Sequence, residues 1–138
     1  MGHIHAQEAI DELVVRFFSV FDNRNGAKPR LANLTACFAE KASVVRHSDA
    51  GAELFTVVEF AGPRIDLLCQ GTLIDFHEWE VSSTTQIFDG IATRTSRYSK
   101  AGSLNGKAYR GSGTKCFHFV KLGAGWRITS LVWVDHSA

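Results

Sequence analysis

A chain of 138 residues, 45% hydrophobic and 21% charged, has the size and balance of one globular domain with a single core. Its 15 basic and 14 acidic residues leave a formal charge of +1, so no net field draws nucleic acid or a membrane surface. No apolar run approaches the ~20 residues of a membrane span, and "MGHIHAQEAI" holds neither a signal-peptide apolar core nor the Ser or Thr that a myristoylation site wants where Ala6 stands. Cys37, Cys69 and Cys116 are scattered and odd in number. They suit buried thiols in a reducing, cytoplasmic compartment better than a disulfide frame or a zinc site. His3 and His5 form an H-x-H pair that reads as a frayed tail rather than a metal site. No cofactor or metal is expected. Residues 1–138 show no repeat, low-complexity tract or linker and read as one domain.

Ile10, Leu13, Val14, Phe17, Phe18 and Phe21 recur at helical spacing and predict an amphipathic helix over residues 6–23, ended by "NRNG". Pro29 can open a second helix with Leu31, Leu34 and Phe38 inward. "SVVRH" predicts a short strand, "SDAG" a turn, and "ELFTVVEF" an extended or irregular stretch. "AGPRIDLLCQG" predicts a third helix, with Pro63 in its first turn and Gly71 after its end.

From Leu73 onward the pattern is that of strands, punctuated by Asp89-Gly90, Asn105-Gly106 and "GAG" at 123–125. Asp-Gly and Asn-Gly are strong two-residue hairpin signals because both central residues need positive φ. Each turn sets a register. The first places Val81 opposite Tyr98 and Thr85 opposite Arg94. The second places Tyr98 opposite Gly113, Ser96 opposite Lys115 and Arg94 opposite Phe117. The third places Phe119 opposite Ile128 and Phe117 opposite Ser130.

A period of two then sorts the faces. One face carries His77, Trp79, Val81, Ile87, Ala92, Arg94, Ser96, Tyr98, Lys115, Phe117, Phe119, Trp126, Ile128, Val132 and Val134, a core face with a polar sector. The other is polar, with Glu80 and Arg97 one diagonal step apart as a surface ion pair. Its exception is the patch Cys116, His118, Val120, Leu131 and Trp133. One β-bulge would invert the faces beyond it.

Helices first and a meander afterwards predict an α+β fold, three N-terminal helices packed on a curved antiparallel sheet. An apolar patch rimmed by polar residues predicts an interface, here a two-fold contact between copies of the chain through the outer sheet face.

Three segments carry a family resemblance: the opener "LVVRFFSVFD", the step "CFAEKASVV" and the closing "FVKLGAGWRITSLVW". With them the chain resembles the nuclear transport factor 2-like superfamily, the cystatin-like α+β cone, and within it SnoaL-like proteins. The resemblance implies an apolar central cavity between helices and sheet, frequent dimers through the convex face, and, for the enzymes, acid–base chemistry on small apolar molecules without a cofactor.

On that frame the polar sector, Asp75, His77, Trp79, Arg94, Ser96, Tyr98 and Lys115, is the expected ligand site. His77 is the only base on the concave strands with a pKa naturally near neutrality, and Asp75 two residues earlier could orient it. Beyond Asp75 the reading finds no concave carboxylate. Tyr98 could donate to a developing oxyanion, and Arg94 and Lys115 could hold a carboxylate. The alternative is that these cations pair with Asp66 or Asp75, or snorkel past the rim. "GSG" at 111–113 lies in a strand pattern, so it is no phosphate loop; small residues there would make room for the Tyr98 ring or a ligand.

Three functions stay open. The first is a homodimer that binds a small, partly apolar and possibly anionic molecule. The second is a cofactor-free isomerase, dehydratase or cyclase with His77 as acid–base group. The third is a protein-interaction module without a ligand.

Overall fold

The computed structural model describes residues 2–136. The side chain of His3, half of the H-x-H pair, lies outside the described residues; His5 is exposed on the first helix. Helix α1 spans Gly2–Ser19, and Ile10, Leu13, Val14, Phe17, Phe18 and Phe21, on or just past it, are all buried as their spacing predicts. The rings of Phe18, Phe21, Phe38 and Phe117 meet Phe17 edge-on, with centroids 5.3–6.1 Å away. After α1, buried Asn23 acts as a staple. Its amide nitrogen donates to the Leu68 and Leu73 carbonyls at 2.9 and 2.7 Å, and its side-chain oxygen accepts from Phe76 N at 2.7 Å.

Helix α2 spans Leu31–Thr35 and is shorter than predicted, because Phe38 opens strand β1 (Phe38–Ser48) instead of extending the helix. Strand β2 (Gly51–Thr56) returns along β1. "ELFTVVEF" then divides between β2 and helix α3 (Val57–Cys69). The divider is a capping box: Thr56 Oγ1 accepts from Glu59 N at 3.2 Å, and the Glu59 carboxylate accepts from Thr56 N at 2.8 Å. Pro63 therefore lies inside α3 and not in its first turn. Gly71, at φ +82°, follows the helix end as expected.

Strands β3 (Leu73–Phe88), β4 (Ile91–Leu104), β5 (Lys107–Leu122) and β6 (Gly125–Asp135) form the meander, with all three turns where the sequence puts them. The sheet has six strands in the order β2-β1-β6-β5-β4-β3, antiparallel except for the parallel β1–β6 pair. The architecture is α+β, with the helices against one face of a curved sheet. Among the described residues no helix is long and apolar enough to cross a membrane.

The faces depart from the expected sorting at three bulges. Strand β3 slips against β4 between Ile74 and His77 and again between Glu80 and Ser82. Asp75 takes a left-handed backbone, φ 49°, at the first slip. The two slips run the same way and add to two residues, one full period, so only the stretch between them is turned over. Phe76, Glu78 and Glu80 face the helices, whereas His77 and Trp79 face away; Glu80 stands opposite Tyr98 in place of Val81. On β6, Phe119 pairs with Ile128 as predicted, but His118 pairs with Ser130 and Phe117 with Leu131. Thr129 is the extra residue. Beyond it Leu131 and Trp133 turn inward and are buried, and Val132 and Val134 turn outward.

Candidate functional site

A cavity of about 300 Å³ lies between the inner face of the sheet and α3. Its architecture begins with two glycines. Tyr98 and Lys100 on β4 stand opposite Gly113 and Gly111 on β5, and Gly113 stands opposite Asp135 on β6. With no side chain on β5 in the way, the Tyr98 hydroxyl crosses that strand and donates to Asp135 Oδ1. Lys100 crosses over Gly111, and its Nζ lies 3.2 Å from the same oxygen. A Cβ on Gly113 would sit 2.5 Å from the Tyr98 hydroxyl, and one on Gly111 2.7 Å from Lys100 Cε. The small residues opposite Tyr98 do make room for its ring.

These contacts decide the protonation states. Burial alone would raise the Asp135 carboxyl, but the Tyr98 and Lys100 hydrogen bonds outweigh it and hold Asp135 below the usual carboxylate range. Burial and the Asp135 charge push the Tyr98 phenol well up, so it stays a donor. For Lys100, burial opposes the charge, and Asp135 more than compensates.

A second row crosses β1, β6 and β5: Arg46, Trp133 and Lys115 are direct neighbours. Arg64 reaches in from α3 with its guanidinium carbon 4.5 Å from the Phe60 ring centre and 5.2 Å from that of Trp133. Lys115 Nζ lies 3.9 Å over the Tyr98 ring, with the Glu78 carboxylate 3.7 Å away. Burial lowers the pKa of Lys115; Glu78 opposes the shift and the Lys100 charge reinforces it.

The predicted site residues divide three ways. Tyr98 and Lys115 line the cavity as expected. Arg94 and Ser96 face inward but belong to a separate cluster. Arg94 donates to Glu80 at 3.1 and 2.5 Å, to Asp11 at 2.6 Å and to Thr85 at 3.2 Å, and Ser96 donates to Glu80 at 2.6 Å. That cluster ties α1 to β3 and β4 and leaves no donor of Ser96 free for a ligand. Glu80 is thus an inner residue bonded to Arg94, not an outer partner of Arg97. Neither cation pairs with Asp66 or Asp75.

Asp75, His77 and Trp79 lie outside the cavity. Asp75 is exposed at the bulge, and the His77 ring stacks on Trp79 at 4.4 Å on the opposite side of β3. His77 Nδ1 is buried there without a hydrogen-bond partner. Of the expected interface residues, Cys116, His118 and Val120 face outward, with His118 Nδ1 2.9 Å from Ser130 Oγ. Leu131 and Trp133 face inward, and Trp133 packs on Phe55 and Phe60.

Sequence reasoning missed Arg46, Arg64, Glu78, Lys100 and Asp135. Lys100 was within reach, two residues beyond Tyr98 on the same face. Glu78 and Asp135 needed the bulges, and Arg64 needed the packing angle of α3.

No family model matches the chain, and no curated protein matches it in sequence. Solved structures do match over nearly the whole length. A nuclear transport factor 2 (NTF2-like) superfamily protein from Salmonella enterica serovar Typhimurium is similar at TM-score 0.79 and 13% identity, covering 99% of this chain and 94% of its own. A protein of Nostoc punctiforme with a cystatin-like fold gives TM-score 0.71 and 17% identity over 96% and 92% of the two chains. The chain has the nuclear transport factor 2-like, cystatin-like fold. Hexachlorocyclohexane dehydrochlorinase LinA-type3 from Novosphingobium barchaimii shares this cone, with TM-score 0.73 and 11% identity over 98% and 89%.

Two outcomes test the geometry of the cone. Gly113→Ala puts a methyl group against the Val134 carbonyl and the Tyr98 ring and should cost about 1–3 kcal/mol in urea unfolding; a neutral effect would mean that the lane across β5 is not filled as described. Asp135→Asn should cost about 2 kcal/mol near neutral pH by weakening two hydrogen bonds. Because the folded pKa of Asp135 is depressed, its contribution is present above the unfolded value of about 3.9 and is lost as pH falls through the folded one. The gap between the variant and the parent should therefore shrink in acid.

Proposed function

We propose that the cone binds a small molecule with an aromatic or apolar body and an anionic, carboxylate-like head. The observation that carries this reading is the state of the two guanidiniums on the cavity wall. Arg46 lies 3.6 Å from Asp135 and 3.9 Å from Glu53, too far for a hydrogen bond, and its Nε is buried without a partner among the described residues. Arg64 donates at 2.9 Å to the Phe60 carbonyl, a neutral acceptor. Both are partly buried, Arg46 with 37% of its side chain exposed. A guanidinium cannot shed its proton, so one turned into a cavity gains most from an anion that arrives with paired oxygens. On this wall four cations, Arg46, Arg64, Lys100 and Lys115, face two carboxylates, Glu78 and Asp135. Phe60, Phe76, Tyr109 and Trp133 supply the surface for a flat body.

An open cavity with unmatched charge favours a ligand over a pure protein-interaction module. The enzyme reading through His77 loses its geometry, because that ring faces away from the cone. 4-Methylbenzoate should bind in calorimetric titration, and 4-methylbenzamide should bind at least about tenfold more weakly, the worth of a charged hydrogen bond. Arg46→Met and Arg64→Met should each narrow the difference, and the double variant should abolish it. Equal binding of acid and amide to the parent protein would sink the proposal.

The same reading keeps the twin subunit on the outer face, recentred by the β6 bulge. Val45, Val132 and Cys116 stand side by side there across β1, β6 and β5, and Val132 is 42% exposed. Val132→Glu should convert a sedimenting dimer to monomer without loss of fold. A parent protein that sediments as a monomer at micromolar concentration would remove this half of the reading.

A further inference from the structure

Among the described lysines, Lys115 stands apart. Lys28, Lys41, Lys107 and Lys121 are exposed, and Lys100 holds Asp135 at 3.2 Å. The Lys115 side chain is 6% exposed, and among the described residues its nearest carboxylate is Glu78, 3.7 Å from Nζ and beyond hydrogen-bond range. The amine lies over the Tyr98 ring and 5.2 Å from the Trp133 ring, on the cavity wall. Every neighbouring element contributes to its setting: Arg64 from α3, Glu78 from β3, Tyr98 and Lys100 from β4, and Trp133 and Asp135 from β6.

We propose that Lys115 is an amine nucleophile, which forms a reversible imine with an aldehyde or ketone group carried by the anionic molecule in this cavity. The proposal rests on the cavity reading above. Burial against the Tyr98 and Trp133 rings, on a wall that already carries Arg46, Arg64 and Lys100, disfavours a fourth cation and lowers the Lys115 pKa. Glu78 is placed to take the proton that the ammonium gives up. The amine lone pair attacks the carbonyl carbon, forming the C–N bond as the C=O π pair moves to oxygen, which takes a proton. The carbinolamine then loses that oxygen as water, with one N–H proton, and leaves the C=N bond. Glu78 returns and collects these protons, and no oxidant or reductant is involved. The Tyr98 hydroxyl, held on Asp135, keeps the ring under Lys115 fixed. Arg46, one place beyond Trp133 in the same cross-strand row, is the natural counterpart for the carboxylate, which keeps its charge away from the amine.

The probe is 4-formylbenzoate, trapped with cyanoborohydride near neutral pH and mapped by peptide mass spectrometry across all six lysines. Lys115 should be labelled several-fold faster than Lys28 or Lys41. Excess 4-methylbenzoate should block that labelling. Lys115→Arg, which keeps the charge, should lose the adduct at this position while labelling of the exposed lysines is unchanged. Labelling spread evenly over the lysines, or labelling of Lys115 indifferent to 4-methylbenzoate, overturns the proposal. If no adduct forms and 4-methylbenzoate binds, the amine role falls and the anion pocket stands. If neither occurs, both fall.

Discussion

What the cone depends on is an absence of atoms. Gly111 and Gly113 leave two lanes across the inner face of β5, and the long side chains of β4 fill them. A sheet normally keeps each side chain over its own strand or the next. Here Tyr98 and Lys100 span one strand to meet on Asp135. That contact buries a phenol, an ammonium and a carboxylate together, each satisfied by another, which is the condition under which burying polar groups is tolerated. It also lays the Tyr98 ring flat as the floor beneath Lys115.

Two groups of inward charges share this sheet, and they differ in completeness. In the Arg94 cluster, Glu80, Asp11 and Thr85 take the guanidinium's hydrogen bonds, and Ser96 completes Glu80. Such a network fixes α1 in place and has little left to offer a ligand. The cations around Trp133 are the reverse: Arg46 and Lys115 have carboxylates nearby but none within bonding range. A buried charge left short of partners, as Lys115 is, is costly to the fold, and this unevenness between the two groups is the ground for proposing a ligand at one of them and not at the other.

The sequence made the turns legible, and through them most of the pairing. Asp89-Gly90, Asn105-Gly106 and Gly123-Ala124 each closed a hairpin, and Tyr98 opposite Gly113, Ser96 opposite Lys115 and Phe119 opposite Ile128 followed. Turn chemistry is local, so it can be read from two residues. Bulges are set by what the neighbouring strand and the helices need, and nothing in "IDFHEWEV" or "WRITSLVW" announces one. Hence Tyr98 and Lys115 were placed correctly, while His77, Trp79, Leu131 and Trp133 were assigned to the wrong sides. The start of α3 is a different case: Thr56 and Glu59 spell a capping box, a local signal present in the four residues "TVVE". The parallel docking of β1 on β6 joins segments about 90 residues apart, a separation that periodicity cannot bridge.

The paired slips in β3 bracket the segment Phe76-His77-Glu78-Trp79-Glu80, which carries two alternative sets of chemistry back to back. The set now inside is acidic; the set outside is an imidazole stacked on an indole. Sliding the segment by one residue between the two slips would exchange them while the hairpin corners, the helices and the rest of the sheet stayed where they are. A one-residue insertion on one side of this stretch and a deletion on the other would thus turn histidine inward in place of the carboxylates, so the chemistry offered to the interior is set by register as much as by residue identity.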